Sequence, residues 1–418
     1  MPFRLLTRPS LHMLLAIVFG TLLGVFSPGL AVEMKPLSDG FILVIGWLMP
    51  LMMFLLVVSG VSGLQAGQRG LPSRLVAYFV LMTLLSLLMG CVIAVLMQPG
   101  AGHAPGMTGL ASAWTVPPLT GLPSSADFSW RASASTLLLA LKQNPILPVM
   151  IAAVLTGALM AKTRSLGSVE ALRGTAETIV RGLFGGMRLI LRFAPIAAFG
   201  AIAFAIGRFG LASALPLLKF VAVMYLACGA FIVLVFMPIA RASGLSLWSL
   251  LRYLKDELLL VTFTGSSVAA LPGLIEKMQA LGCDRQLTRL VLTTGYTFNL
   301  SGSDIYLIVA VLFLAQLSGV HLTGTELLTL LLISLVTSLG STSMAGSAFI
   351  TLIATLHLLQ VVPLEGAGLL LGVERLMKCR VLTNVLGNCV ACLAIARWQQ
   401  GPAFQPDPAA DSLNAGHR

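Results

Sequence analysis

Charge is what this chain has least of. Only 10% of its 418 residues are Asp, Glu, Lys or Arg, against about 25% in soluble globular domains. With 57% hydrophobic residues and a mean hydropathy of +0.96, there are too few polar side chains to cover a water-facing surface. The chain therefore reads as an all-α polytopic membrane protein. No ten-residue alternating pattern points to a membrane barrel. Acidic residues are scarcer than basic ones, 15 against 26, a net charge of +11. Such an excess invites a nucleic-acid partner, but the cations sit in short loops, as the positive-inside rule requires, and form no soluble patch. Six cysteines are present, mostly in apolar segments. Cys389 and Cys392 form a CxxC, which on a membrane helix reads as two small packing residues one turn apart. The first apolar run reads as a span rather than a cleavable leader.

The chain alternates apolar segments with loops. Basic Met1–Ser10 is placed in the cytoplasm, Leu11–Phe26 is the first span, Pro28–Asp39 a short outer loop and Phe41–Leu64 the second span. Arg69 and Arg74 mark a cytoplasmic loop before the third span, Leu75–Met97. Gln98–Arg131, rich in Gly, Pro, Ser and Thr, is an outer loop. Ser133–Ala161 is the fourth span, interrupted by Asn144-Pro145, and the cluster Lys162, Arg164, Arg173 and Arg181 lies inside. Leu183–Ile206 and Leu211–Ile239 are the fifth and sixth spans.

The last third is different. Leu258–Cys283 is apolar, then TGSS, then apolar again, with basic residues at both ends, so it reads as a hairpin entering from the cytoplasm. Leu290–Ser318 is an apolar segment broken by GYTFNLSGSD, with Asn299, Ser301, Gly302, Ser303 and Asp304 in its middle. Leu327–Pro363, interrupted by GSTSMAGS and without a cation at either end, reads as a hairpin from outside. Leu369–Trp398 is the last span, and the tail returns to the cytoplasm. Broken backbone at membrane depth is tolerated only where it is buried in protein or lines a polar cavity. Interrupted segments in matching places point to a transporter site built on an inverted repeat.

The last span also carries Glu374, Arg375, Lys378, Arg380, Asn384 and Asn388. Residues four apart share a helix face, which aligns Arg380, Asn384 and Asn388. Arginine offers a planar fork to a carboxylate, and helix ends at the hairpin tips offer free N–H groups. The plainer reading makes Arg380 a structural cation paired with Glu374 or with backbone.

The runs GYTFNLSGS, TGSSVAALP and ERLMKCRVLTNVLGN, with MKPLSDGF, QNPILPV and RFAPIAAFGAIAFAIGRFG, resemble the dicarboxylate/amino acid:cation symporter family over nearly the whole chain. Within it the bacterial C4-dicarboxylate carriers are the most similar. The resemblance implies the glutamate-transporter fold: eight transmembrane helices plus two re-entrant helical hairpins, and a homotrimer in the bacterial inner membrane with both termini cytoplasmic. It implies an elevator-type division. Residues 1–74 hold scaffold spans one and two, 75–97 span three of the transport domain, and 98–210 the periplasmic loop with scaffold spans four and five. Residues 211–398 hold the rest of the transport domain and 399–418 the cytoplasmic tail.

The resemblance assigns Arg380, Asn384, Thr383, Ser303, Ser266, Ser267, Ala345 and Gly346 to a dicarboxylate. Asn299, Ser301, Asp304 and Asn388 fall to the coupled cation, H+ or Na+, with no resident cofactor or metal. Three departures stand out. The family's Asn-(Met/Leu)-Asp-Gly-Thr reads Asn299-Leu-Ser301-Gly-Ser303, so a carboxylate is missing. Asn388 stands where sodium-driven members carry Asp. The spacing from Glu374 to Arg380 is one residue short, which puts Met377 or Lys378 where amino-acid carriers have an Asp for the ammonium. The expectation is a C4-dicarboxylate symporter in which Asp304, the nearest acid to Ser301, titrates or ligates the coupled ion. Alternatives are a carrier of acidic or neutral amino acids and, if Lys378 stands in for a coupled cation, a weakly cation-coupled exchanger. An intramembrane serine protease using Ser301 with His321 or His357 is the reading from another class.

Overall fold

The computed structural model describes residues 9–41, 71–101, 191–264, 267–339, 341, 347–359, 362, 366–374, 376–401 and 404–406, with scattered positions between 43 and 58 and between 149 and 190. Most of the expected second and fourth spans, the outer loop and the basic cluster after Ala161 lie outside the described residues, as do Ser266, Ala345, Gly346 and Arg375. Every element among the described residues is helical. Among the described residues, four helices are long and apolar enough to cross a membrane: Arg74–Met97, Ala214–Ala242, Arg285–Leu317 taken through its break, and Lys378–Gln400.

Three helices form one packing group: α1 (Pro9–Phe26), α2 (Pro28–Glu33) and α4 (Ala194–Phe209), with α3 (Leu71–Met97) lying elsewhere. The expected outer loop after the first span is thus partly a helix. Proline at its first turn supplies a fixed φ and lacks only an N–H that would be unpaired there. Glycines bring α1, α2 and α4 together. A Cβ on Gly24 would stand 2.7 Å from Ile206 Cβ, and one on Gly200 would stand 2.6 Å from the Met34 carbonyl oxygen. Such small-residue contacts drive helix association where no water is present to expel.

A larger block contains α3, α5 (Ala214–Ala242), α6 (Leu247–Tyr253), α7 (Lys255–Thr264), α8 (Leu271–Ala280) and α9 (Arg285–Phe298). It continues with α10 (Ser301–Leu317), α11 (Gly324–Ser338) and α12 (Ser347–Leu359); α13 (Ala367–Glu374) packs mainly on α4 of the first group and touches α5 and α12, and α14 (Lys378–Gln400) returns to the larger block. A π turn, Ile232–Phe236, interrupts α5 just before Pro238, whose missing N–H and bulky ring disturb the regular ladder.

Helices α7 and α8 are joined through a 3-10 turn, Ser267–Ala270, and their outer ends meet. Lys277 Nζ lies 2.7 Å from Glu257 Oε2 and donates to the Tyr253 carbonyl at 2.9 Å. Helices α11 and α12 also fold back on each other. Thr337 and Thr355 hydroxyls meet at 2.9 Å, and Ser341 and Thr351 at 3.0 Å, pairs 18 and 10 residues apart that converge on the same tip. A capping box of Thr323 and Glu326 starts α11.

The last apolar segment departs from expectation. It is not one span but two helices, α13 and α14, with Leu376 and Met377 outside both. Met377 at φ −83°, ψ 61° is outside the helical region. The break explains how Glu374 and Arg380 can meet: in an unbroken helix, residues six apart point about 120° apart around the axis.

Candidate functional site

The site is built where α10 and α14 begin. Only Asn299 and Leu300 leave the helical region between α9 and α10, at φ −129° and −108°. The polar run Ser301-Gly-Ser-Asp304, expected to be the break itself, is instead the first turn of α10. That turn exposes unpaired N–H groups, and its own N-cap, Leu300, has no side chain to satisfy them. Asn384 supplies the cap from α14. Its Oδ1 accepts from Gly302 N at 2.8 Å and Ser303 N at 3.2 Å, while its Nδ2 donates to Ser303 Oγ at 3.0 Å. Gly302 makes the approach possible, because a Cβ there would fall on the Arg380 carbonyl.

Arg380 lies in the first turn of α14 and is buried. Its Nη2 donates to Glu374 Oε1 at 3.2 Å, and its guanidinium carbon sits 5.5 Å from the Tyr306 ring centroid, within cation–π range. Its Nε is buried and has no hydrogen-bond partner among the described residues. The plain reading of Arg380 as paired with Glu374 is thus part of the geometry, but one contact leaves most of a five-donor group open. Thr383 is buried too, and its hydroxyl donates to Cys379 O at 2.8 Å within its own helix.

One turn along, Asn388 Oδ1 accepts from Asn299 Nδ2 at 2.9 Å. Gly295 leaves room for Asn388, since a Cβ there would overlap its carboxamide. Three polar atoms around this bond are buried without partners among the described residues: Asn299 Oδ1, Ser301 Oγ and Asn388 Nδ2. The two oxygens are neutral ligands of the kind a sodium ion takes. Asn388 offers its nitrogen, so it would have to rotate its amide to join them.

Asp304 faces a different neighbour. It is buried, and Ser86 Oγ of α3 stands 3.2 Å from its Oδ2; no cation pairs with it among the described residues. The N–H groups of its own first turn go to Asn384, so its carboxylate does not cap α10. Ser267, on the turn between α7 and α8, is buried, its hydroxyl has no partner among the described residues, and that turn packs against α14. The structure therefore brings Arg380, Asn384, Ser303, Asn299, Ser301 and Asn388 to the α10–α14 contact and sets Asp304 on the α3 side. Tyr306 and Ser86 were missed by sequence reasoning. The only signal for either was a lone polar group inside an apolar run.

The profile of the sodium:dicarboxylate symporter family matches residues 10–398. The chain is 39% identical over 397 residues to a C4-dicarboxylate transport protein of Paraburkholderia xenovorans (strain LB400), covering 93% of this chain and 92% of that one. It is equally identical to its namesake in Burkholderia pseudomallei (strain 668), and 38% identical to that of Burkholderia cenocepacia (strain HI2424), where it covers 91% of the relative. A buried arginine paired with a glutamate at a helix break, on the same helix as two buried asparagines, and similarity over almost the full length agree: the chain belongs to the sodium:dicarboxylate symporter family.

Proposed function

We propose that this protein carries C4-dicarboxylates such as succinate, fumarate or malate into the cell in symport with protons or sodium ions. Arg380 carries the proposal. It is buried, its Nε has no partner among the described residues, and its backbone lies against a helix start. A carboxylate entering a dry pocket needs such a donor. Ser267 and Ser303 supply hydroxyls nearby, and Ser266, Ala345 and Gly346, which lie outside the described residues, are assigned to the same pocket in this reading. Thr383 keeps its place by shaping the helix face. Met377 and Lys378 offer no anion for an ammonium, which disfavours an amino-acid substrate.

In this reading α7–α8 and α11–α12 are re-entrant hairpins entering from opposite sides. The block of α3 and α5–α14 slides past a scaffold holding α1 and α4, in a homotrimer of the inner membrane with both termini cytoplasmic. No chemistry is catalysed. Substrate and ion shift which domain position is populated.

Coupling is assigned to Asn299, Ser301 and Asn388 with Asp304. Ser86 has one hydroxyl proton and two oxygens within reach, Thr83 O at 2.9 Å and Asp304 Oδ2 at 3.2 Å. If that proton serves Thr83 O, a protonated Asp304 donates to Ser86 and every atom is satisfied. This favours a proton at Asp304, because one carboxylate and one or two hydroxyls are too few oxygens for sodium. The test is uptake into proteoliposomes under imposed proton or sodium gradients, scanned over dicarboxylates and amino acids. Succinate accumulation driven by a gradient is expected. Displacement of bound substrate by aspartate or serine better than by succinate overturns the substrate assignment.

A further inference from the structure

The Glu374–Arg380 pair has the features of a placeholder. It is a single contact of 3.2 Å, not the short bidentate fork of a tight arginine–carboxylate pair. Glu374 ends α13, where the negative end of the helix dipole disfavours a carboxylate. Arg380 is the only cation within ion-pair distance of it among the described residues. Near the pair, α10 presents Tyr306, whose ring faces the Arg380 guanidinium, and α5 presents Tyr225, whose hydroxyl donates to Leu376 O. Ile202 of α4 and Ile17 of α1 face the adjacent Gly372. The break at Leu376 and Met377 lets α13 return its last side chain onto the first turn of α14.

We propose that Glu374 is an internal substitute for the substrate: it occupies Arg380 in the empty carrier and gives it up when a substrate carboxylate arrives. The idea rests on the functional reading above, in which Arg380 binds the dicarboxylate. Its physical basis is the return step. A symporter must cross back without substrate, and a lone guanidinium inside the membrane is costly. Paired with Glu374, the empty site is neutral. Loaded with a dianion, the same site has surplus negative charge, which the coupled cation offsets.

The test is Glu374→Gln in proteoliposomes with radiolabelled succinate, comparing exchange between preloaded vesicles with net uptake into empty ones. Exchange needs no empty return; net uptake does. Exchange is expected to continue, with a KM about three- to tenfold lower because less Arg380 is self-occupied. Net uptake should fall about tenfold relative to exchange. If KM instead rises and both modes fall together, Glu374 only orients Arg380 and the proposal is overturned. Glu374→Asp, which keeps the charge, should restore the wild-type ratio of the two modes; a ratio unchanged from that of Glu374→Gln is also against it. Should wild-type protein carry another anion but not succinate, the substrate assignment fails alone, and the ratio is measured with that anion.

Discussion

The α1/α2/α4 group and the α10/α14 contact are both tightly packed, and both rely on glycine, but for different ends. In the first, Gly20, Gly24, Gly200 and Gly207 meet backbone, alanine or isoleucine, and the buried face of α4 is Ala, Gly, Ile and Phe. In the second, Gly295 and Gly302 meet a carboxamide and a carbonyl, and the surroundings hold Asn299, Ser303, Asp304, Arg380, Asn384 and Asn388, all buried. Close packing alone explains the first group. It does not explain the second, because burying polar and charged groups in a membrane is expensive and persists where they serve a function. The glycines there bring donors and acceptors within hydrogen-bond reach.

The comparison predicts opposite responses to mutation. The largest effect is expected at Arg380→Ala, which should weaken dicarboxylate binding by about 2 to 5 kcal/mol while leaving the helices folded; equilibrium binding of succinate to purified protein checks it. Near-native affinity there would place the anion elsewhere. Asp304→Asn should abolish gradient-driven accumulation yet preserve substrate exchange. Unchanged accumulation with unchanged pH and sodium dependence would make Asp304 structural.

Smaller effects separate the two regions directly. Gly302→Ala drives a Cβ into the Arg380 carbonyl and should cost about 1 to 3 kcal/mol of stability together with a raised KM for succinate. Gly24→Ala should cost a similar amount of stability, read as a lower melting temperature, with KM unchanged. A KM shift from Gly24→Ala as large as that from Gly302→Ala would erase the distinction. Ser86→Ala removes one buried hydrogen bond, about 0.5 to 1.5 kcal/mol, and should shift the pH dependence of accumulation without altering substrate affinity in exchange.

Much of the architecture was legible in the sequence. Low charge and long apolar runs set the class, since lipid leaves few ways to satisfy a backbone. Ser/Gly clusters inside apolar runs located both folded-back helix pairs. The spacing of Arg380, Asn384 and Asn388 put them on one face because α14 is regular there. The site's wiring was less legible. The run at Ser301 to Asp304 looked like the interruption, yet it is helical, since Asn384 caps it from 81 or 82 residues away.

What the sequence determined by itself is therefore local: span lengths, the positions of polar interruptions, and which side chains share a helix face. These follow from the repeat of a single helix and from the cost of polar groups in lipid. The tertiary structure decided the partners. It gave Asp304 to Ser86, 218 residues away, and returned Glu374 onto Arg380 through a break that a one-residue shorter spacing did not reveal. Hydrogen bonds and ion pairs act over a few ångströms in space, and distance along the chain carries no trace of them until the helices are packed.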